Sequence, residues 1–392
     1  MLTMTDRTND LLESIADSLE VPPSYYEKAT DRYHSLGEWL HRDDSKVAAF
    51  DPRVYLQGSF RYGTVNWSLL GTEEYDLDLV CEVNLDKSDI TQDELKHLIG
   101  DEIKGYAKRY GVKAPTVERN RCWRLDYADD VSFHMDILPC VPEAQDIIHT
   151  ICSQRVPVHL ALKSVAITDK QHPQYRQITR NWFCSNPKGL GDWFEEQARP
   201  MALARMAQLV RDKAYASIDQ VPSYEWKTPL QRSIQVLKRH RDVMFKDNPQ
   251  LAPISMIITV LAARAYRGEA TLQVAIEGIV NRMPLFVSDS KPRIPNPVNP
   301  GEDFGDRWAG KPLREENFWA WHDAVKADLA KLPQILEKGT LAADVRTLFR
   351  IDLTEEQLKH LGVPAATFIP ATPKLSPVTH ISASPRPWQR HG

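Results

Sequence analysis

The chain has 392 residues, 42% of them hydrophobic, and a net charge of −4. A single core seldom grows past roughly 250–300 residues, so we expect two lobes. The negative net charge gives no strong signal for a nucleic-acid polymer as partner, and five scattered cysteines without a Cys-x-x-Cys pair argue against a zinc site or a disulfide framework. The longest apolar stretch, residues 254–263, is too short to cross a bilayer, and no signal-peptide pattern begins the chain. We therefore expect a cytoplasmic protein without membrane contact.

The first half of the chain mixes helices with short strands. Helical spacing of apolar residues predicts helices over 5–19, 24–40 and 91–110. Strand patterns occur at residues 54–56, 76–83, 116–118, 122–127, 131–138 and 157–167. Gly58-Ser59 follows the first strand and is predicted to turn into a short helix. This order predicts a lobe with a mixed sheet.

The second half reads as helix almost throughout. Helices are predicted over 193–213, 229–245, 254–267, 272–287 and 315–336, with a proline-marked loop at 291–300. Residues 364–392 are rich in Pro, Ser and Thr and show no period, which predicts a flexible tail. The predicted fold class is α+β in two lobes: a mixed-sheet core over 1–190 with the N-terminal helices, a helical lobe over 191–363, and the tail.

Three aspartates stand out because they occupy apolar strand patterns. Side chains alternate along a strand, so Asp76 and Asp78 should share one face, and Asp136 lies in a second strand. Converging carboxylates repel each other unless a hard divalent cation lies between them. A pair of aspartates on a strand edge is more often a solvated rim, but a carboxylate inside an apolar strand needs a cation or donors.

A phosphate-binding turn is predicted just before these strands. Gly58-Ser59 at a helix start could present backbone N–H groups to a phosphate. The alternative is an ordinary helix cap, worth about 1 kcal/mol to the helix and irrelevant to chemistry. The order of the turn, the two-carboxylate strand and the third carboxylate favours a site for a metal and a nucleotide.

These motifs resemble the DNA polymerase β-type nucleotidyltransferases, and within them the bacterial cGAS/DncV-like nucleotidyltransferases (CD-NTases). The resemblance rests on the Gly58-to-Thr64 and Tyr75-to-Leu79 segments, the Asp136-to-Pro142 segment, residues 185–188, the 231–244 helix, and residues 296–308. It covers about residues 25–321. One departure is a longer segment between Thr64 and Asp76, which should change a loop near the donor nucleotide.

The resemblance implies a role for each matching residue. Asp76, Asp78 and Asp136 would be catalytic and would hold two Mg²⁺ ions, with Mn²⁺ as an alternative. Nucleotide-binding roles would belong to five further residues: Gly58, Ser59, Lys238, Ser255 and Asn186. For Lys238 the alternative is a solvated lysine in a basic run, for Ser255 a plain N-cap, and for Asn186 a common turn former.

The function implied by the resemblance is synthesis of a cyclic di- or trinucleotide second messenger from NTPs by two-metal phosphoryl transfer. ATP is the expected substrate, with GTP or other NTPs as alternatives, and the setting would be bacterial anti-phage (CBASS) signalling through a separate effector. One rival is a template-free nucleotidyltransferase acting on RNA, protein or a small molecule. The other is an inactive nucleotide or RNA sensor.

The C-terminal residue raises a separate hypothesis. Some relatives are conjugated through their C-terminus by an E1/E2-like partner, and Gly392 at the end of a flexible tail would suit such a reaction. An ordinary chain terminus is the favoured alternative.

Overall fold

A computed structural model of the chain describes residues 3–67, 75–112, 114–128, 132–211, 227–337 and 340–362. The tail, Gly392 and most of the long segment before Asp76 lie outside these residues, so the predictions made for them stay predictions. Across the described ranges no helix has the length and apolar character needed to cross a membrane.

In the described ranges, a mixed sheet of seven strands forms the first lobe. Its strands are β1 (Arg53–Leu56), β2 (Tyr75–Glu82), β3 (Val117–Glu118), β4 (Trp123–Ala128), β5 (Ser132–Pro142), β6 (Val165–Ile167) and β7 (Phe183–Ser185). The main path runs β1-β2-β5-β4-β3, while β6 pairs with β5 and with β7. Strands β2 and β5 are parallel, and the other pairs in this sheet are antiparallel.

The two faces of this sheet differ in what they contact. Leu77 and Leu79 of β2 and Ile137 of β5 are buried in one apolar cluster with side chains of helices α2 (Pro23–His41) and α4 (Gln92–Arg109). Since strand side chains alternate, the even-numbered residues of β2 and β5 point to the opposite face. The aspartates are among those even-numbered residues.

Helices make up most of the remaining described residues. Besides α2 and α4, they are α1 (Met4–Asp17), α3 (Gly58–Tyr62), α5 (Gln145–Ser153), α6 (Val158–Ala161), α7 (Pro187–Arg211), α8 (Pro229–Met244), α9 (Ser255–Ala265), α10 (Leu272–Arg282), α11 (Pro312–Glu337), α12 (Leu341–Phe349) and α13 (Glu355–His360). The mixed α/β lobe with a helical C-terminal region confirms the predicted fold class. Helix α1 buries Leu11, Leu12 and Ile15 in the core of the helical region, not against the sheet. Helix α1 was predicted as part of the mixed-sheet core over 1–190, but it packs with the helical region. The division at residue 190 stays a prediction.

Several predicted elements differ from the structure. The strand predicted over 157–167 is a helical turn, α6, followed by the three-residue strand β6. Pro157 fits the start of a helix, and alternating apolar residues in a short run do not separate strand from buried helix. The loop at 291–300 contains a small hairpin, β8 (Pro295–Asn296) with β9 (Asn299–Asp303). The helix predicted from 193 begins six residues earlier, at Pro187. Helices α5, α12 and α13 and strand β7 were not predicted.

Candidate active site

Two of the three aspartates lie side by side on neighbouring strands. In the parallel pairing of β2 with β5, Asp78 is the register partner of Asp136. Asp76 lies one period before Asp78 on the same face, with 59% of its side chain exposed. The alternation predicted from sequence therefore brings the carboxylates to one edge of the sheet.

The carboxyl group of Asp78 is held in an environment that disfavours its charge. Burial, with repulsion from Asp76 and Asp136 next in size, raises the pKa of Asp78 to about 7. A bound cation would relieve both effects, because it solvates the carboxylate and screens its neighbours. The carboxyl group of Asp78 thus lies in the electrostatic environment expected of a cation ligand.

An arginine that was not predicted as a site residue, Arg124, lies beside these aspartates on the same face of the sheet. Arg124 on β4 is the register partner of Asp136 and donates to both its oxygens, Nε to Oδ1 at 2.8 Å and Nη2 to Oδ2 at 2.6 Å. Its Nη2 also lies 3.7 Å from Asp76 Oδ1. The alternation of polar and apolar residues in β4 could have placed Arg124 on the polar face, but only the strand pairing sets it opposite Asp136.

The Gly58-Ser59 turn is fixed directly against the Asp78 strand. The Gln57 N–H donates to the Asp78 carbonyl oxygen at 2.9 Å, and Gly58 has a φ of +65°. A Cβ on Gly58 would overlap the Asp78 carboxylate, so glycine is required both for the backbone conformation and for this close approach. Helix α3 has only five residues, so its N-terminus alone does not make a phosphate site.

A cavity of about 300 Å³ opens beside the turn and joins it to the helical region. Gly58, Ser59, Asp76 and Asp78 line it from the sheet side. The opposite wall comes from the far half of the chain: Lys238, Arg241, Ser255, Met256 and Thr259. We call this space the donor cavity.

Lys238 faces this cavity as a buried side chain, not as a solvated lysine. It is 8% exposed, and its Nζ donates to the Thr64 carbonyl oxygen at 2.8 Å. Burial lowers the pKa of Lys238 to about 8. A desolvated ammonium group here would gain from an anionic ligand.

Ser255 lies in the first turn of α9, where the N-cap is Ile254, so the serine is not a plain N-cap. Its Oγ accepts a hydrogen bond from Arg241 Nη1 at 2.9 Å. Arg241 was not assigned a role from sequence, although it follows Lys238 by one helical turn on α8 and so shares its face.

A second cavity of about 330 Å³ shares Gly58, Tyr62, Asp78 and Met256 with the first. Asp136 and Glu302 also line it. Glu302 is half-buried, its Oε2 accepts from Asn296 Nδ2 at 2.8 Å, and within the described ranges its Oε1 makes no hydrogen bond. Burial raises the pKa of Glu302. We call this space the acceptor cavity.

Asn186 also lines the acceptor cavity, but main-chain groups engage its amide. Its Nδ2 donates to the carbonyl oxygens of Leu160 at 2.9 Å and Val298 at 3.4 Å, and its Oδ1 accepts from the Gly189 N–H at 2.9 Å. These contacts suit its alternative as a former of local structure. A contact to a base or ribose stays a prediction.

The aspartates suit a divalent cation by their donor chemistry. Carboxylate oxygens are the ligands Mg²⁺ prefers, and the raised pKa of Asp78 marks an uncompensated anionic spot. In the described part of the chain, no set of three or more His, Cys, Asp or Glu side chains is arranged to hold a metal ion, and the Arg124 guanidinium is bound to Asp136. The aspartates thus have the ligand chemistry that a divalent cation needs, while the Arg124 guanidinium supplies the positive charge at Asp136.

Comparison with known proteins finds a matching family domain and similar proteins. Residues 52–139 match the family described as cyclic GMP-AMP synthase DncV-like, nucleotidyltransferase domain. The chain is 28% identical over 347 residues to a c-di-GMP synthase from Roseivirga ehrenbergii, covering 86% of this chain and 84% of that protein. It is 24% identical over 325 residues to the cyclic dinucleotide synthase CdnG from Bradyrhizobium diazoefficiens, covering 80% and 73%.

Solved structures share the fold. The B. diazoefficiens CD-NTase CdnG in complex with GTP superposes with a TM-score of 0.65 at 22% identity, covering 91% of this chain and all of that one. The CdnC chain of an Escherichia coli complex with HORMA gives a TM-score of 0.53 at 11% identity, covering 88% and 97%. The chain is therefore a nucleotidyltransferase whose residues 52–139 match the DncV-like nucleotidyltransferase domain, and it is similar over at least four fifths of its length to cyclic dinucleotide synthases.

Proposed function

We propose that the protein joins NTPs into a cyclic dinucleotide. The observation that carries this proposal is the donor cavity, where the aspartates of the sheet face Lys238 and Arg241 of α8. A nucleoside triphosphate with its cation needs that pairing of opposite charges across one space. The names of the relatives, a c-di-GMP synthase and a cyclic dinucleotide synthase, support a cyclic product of two nucleotides.

In this proposal the helical wall binds the triphosphate. Lys238 and Arg241 neutralise phosphate oxygens, while the Ser59 and Ser255 hydroxyls can donate hydrogen bonds to them. Asp76, Asp78 and Asp136 would hold Mg²⁺, or Mn²⁺ in its place. The chemistry that the bound ions would supply is a lower pKa of the attacking hydroxyl and neutralisation of the leaving pyrophosphate.

The acceptor nucleotide would occupy the adjoining cavity. Asp136 lines it, so the acceptor ribose can lie beside Asp136 and beside Asp78, the carboxylate that the two cavities share. The Arg124 guanidinium fixes the orientation of Asp136 through its paired hydrogen bonds. Holding both reactants in line is the main contribution a protein makes to phosphoryl transfer.

We propose GTP as a substrate, with ATP as the alternative. Guanine presents N1–H and N2–H donors along its Watson–Crick edge, and a carboxylate can accept from both. Glu302 offers an Oε1 with no hydrogen bond among the described residues, on the wall of the acceptor cavity. The GTP complex of CdnG and the c-di-GMP synthase relative support the same base for this chain.

Each transfer forms one bond and breaks one. The acceptor ribose oxygen bonds to the donor α-phosphorus, the bond from that phosphorus to pyrophosphate breaks, and the hydroxyl proton leaves to solvent. A linear dinucleotide that keeps its own triphosphate is the first product. A second transfer within that molecule closes the ring and releases a second pyrophosphate.

The resemblance further supports a role in bacterial anti-phage signalling, in which a separate effector reads the cyclic product. We expect cells that carry the protein with its neighbouring genes to resist phage, and the Asp76→Ala/Asp78→Ala variant to lose that resistance. Plaque counts on matched strains measure this, and equal protection by the variant would contradict the role.

The proposed activity is tested by incubating the purified protein with GTP, ATP or both in Mg²⁺ or Mn²⁺. We expect a phosphatase-resistant product whose mass corresponds to a cyclic dinucleotide, and none from the Asp76→Ala/Asp78→Ala variant with intact thermal unfolding. Linear, phosphatase-sensitive products would favour a tailing or transfer enzyme. Nucleotide binding without pyrophosphate release would favour a sensor.

A further inference from the structure

A third cavity, of about 700 Å³, adjoins the donor cavity on the side of Arg241 and Ser255. Its walls come from the C-terminal end of α8, the turn before α9, the segment before α11 and the first turn of α11. Four cationic side chains and one carboxylate line it: Arg241, Lys246, Arg307, Arg314 and Asp242. We call it the basic cavity.

The basic cavity and the donor cavity share a wall. Arg241 and Ser255 line both spaces, and Arg241 is fixed there by hydrogen bonds from Nη1 to Ser255 Oγ and to the Pro253 carbonyl oxygen, each 2.9 Å. Asp242 accepts from Arg241 Nε at 2.8 Å, so the one carboxylate of the cavity is already engaged by the arginine of the shared wall.

The two arginines on the far side have no acidic partner in the described part of the chain. Among the described residues no carboxylate lies within ion-pair distance of Arg307 or Arg314, whereas many other arginines of the chain have one. The Nε of Arg314 is buried and finds no hydrogen-bond acceptor in the described part of the chain. A buried donor without an acceptor is unfavourable, so Arg314 favours an anionic ligand, and Arg307 adds a positive charge from an exposed position.

Planar guanidinium groups bind phosphate oxygens in pairs, and several of them around one space suit a compact polyphosphate. Apolar side chains also line the cavity: Phe245, Pro249, Ala252, Pro253 and Ile254. The choice of pyrophosphate over a nucleotide therefore rests on the two arginines that lack an acidic partner among the described residues and on the wall that this cavity shares with the donor cavity.

We propose that the basic cavity binds the pyrophosphate that leaves the donor cavity. The inference rests on the proposed function, since each transfer would release pyrophosphate against the wall formed by Arg241 and Ser255. In this role the cavity draws the leaving group away from the aspartates. The donor cavity can then accept the triphosphate end of the linear intermediate for ring closure.

The test measures binding of inorganic pyrophosphate by calorimetry to the full chain saturated with a non-hydrolysable GTP analogue and Mg²⁺. We expect the wild type to bind one pyrophosphate under these conditions. The Arg307→Gln/Arg314→Gln variant should bind it at least about tenfold more weakly, since two charge-assisted contacts are lost. Lys311→Gln removes the same kind of charge from the same segment without touching the cavity, and should bind as wild type.

Absence of pyrophosphate binding to the analogue-saturated wild type, or equal binding by the double variant, would overturn the proposal. So would displacement of pyrophosphate by further analogue, which would assign the cavity to a nucleotide. Inorganic phosphate serves as a second probe and should bind more weakly than pyrophosphate. Arg307→Gln alone, at an exposed position, repeats the comparison if the double variant unfolds. Because this measurement needs no turnover, its failure is distinct from failure to make a cyclic product.

Discussion

The two walls of the donor cavity carry groups of opposite charge, and the pKa values of these groups are shifted in opposite directions. On the sheet wall the pKa of Asp78 is raised to about 7, and on the helical wall the pKa of Lys238 is lowered to about 8. Burial is the largest cause of both shifts, and in each case it favours the neutral form. Lys238 donates to a carbonyl oxygen and not to an aspartate. Each wall therefore favours a counter-ion of its own: a cation at the aspartates and a polyanion at the helices.

The strongest test of the sheet wall is Asp78→Asn. We expect product formation to fall by at least about 10³-fold, because loss of a metal ligand removes several kcal/mol of transition-state stabilisation. The folded-state pKa of Asp78, about 7, exceeds its usual value of 3.8, so its ionised form opposes folding. This destabilisation of the folded state is absent below the usual pKa, grows as pH rises, and is complete above about pH 7.

Asp78→Asn should therefore raise the thermal unfolding temperature at pH 8 and leave it nearly unchanged at pH 3.5 to 4. Asp289→Asn removes a charge at an exposed loop position and should change neither activity nor stability. An active Asp78→Asn enzyme, or one that is less stable at pH 8, would contradict the description of this wall.

The contact between the Gly58 turn and Asp78 is tested by Gly58→Ala. Its Cβ would overlap the Asp78 carboxylate, and a displacement of a reacting group by about 1 Å can lower the rate by about 100-fold. Gly268→Ala is the matched control, because Gly268 has a φ of +81° and no atom within 4 Å of the added Cβ. Both variants carry backbone strain. An equal loss of activity in the two would therefore show that strain, and not the contact with Asp78, lowers the rate.

The helical wall is tested through the pH dependence of NTP binding. Lys238 is charged below its pKa of about 8 and neutral above it, so its titration should leave KM for the NTP unchanged below that pH. Above that pH we expect KM to rise about tenfold per pH unit, since one proton must be regained on binding. Lys238→Arg keeps the charge and should flatten the profile. A KM that does not change up to pH 9.5 in the wild type would exclude Lys238 from triphosphate binding.

Base selection in the acceptor cavity should produce a smaller effect. Glu302→Gln replaces one acceptor by a donor, so we expect the preference for GTP over ATP to fall about tenfold in kcat/KM. Glu316→Gln, at an exposed position of α11, is the control. An unchanged preference would remove Glu302 from base recognition.

Asn186→Ala should have the smallest effect on activity. Loss of its amide leaves the Leu160 carbonyl oxygen and the Gly189 N–H without these partners, which costs about 1–3 kcal/mol of stability. We expect a lower unfolding temperature with the same preference between GTP and ATP. A changed base preference at unchanged stability would instead support the contact to a base predicted from sequence.

Elements with a strong local signal were predicted well. The helix predicted over 91–110 matches α4, whose N-cap is Thr91, and Glu94 three positions later completes a capping box that was not predicted. The strand over 76–83 matches β2 because its apolar positions alternate. The strand predicted over 157–167 failed because its pattern was compatible with both elements. Helices α12 and α13 have nine and six residues, too short for a clear period.

The sequence by itself determined which face of the strands carries the aspartates, because alternation is a local property of an extended chain. Only the tertiary structure decided that Arg124 lies opposite Asp136, that α8 and α9 bring Lys238, Arg241 and Ser255 to the same cavity, and that Arg307 and Arg314 meet beyond it. These placements follow from strand pairing and helix packing between distant segments. Packing of that kind depends on the whole chain, and no local pattern encodes it.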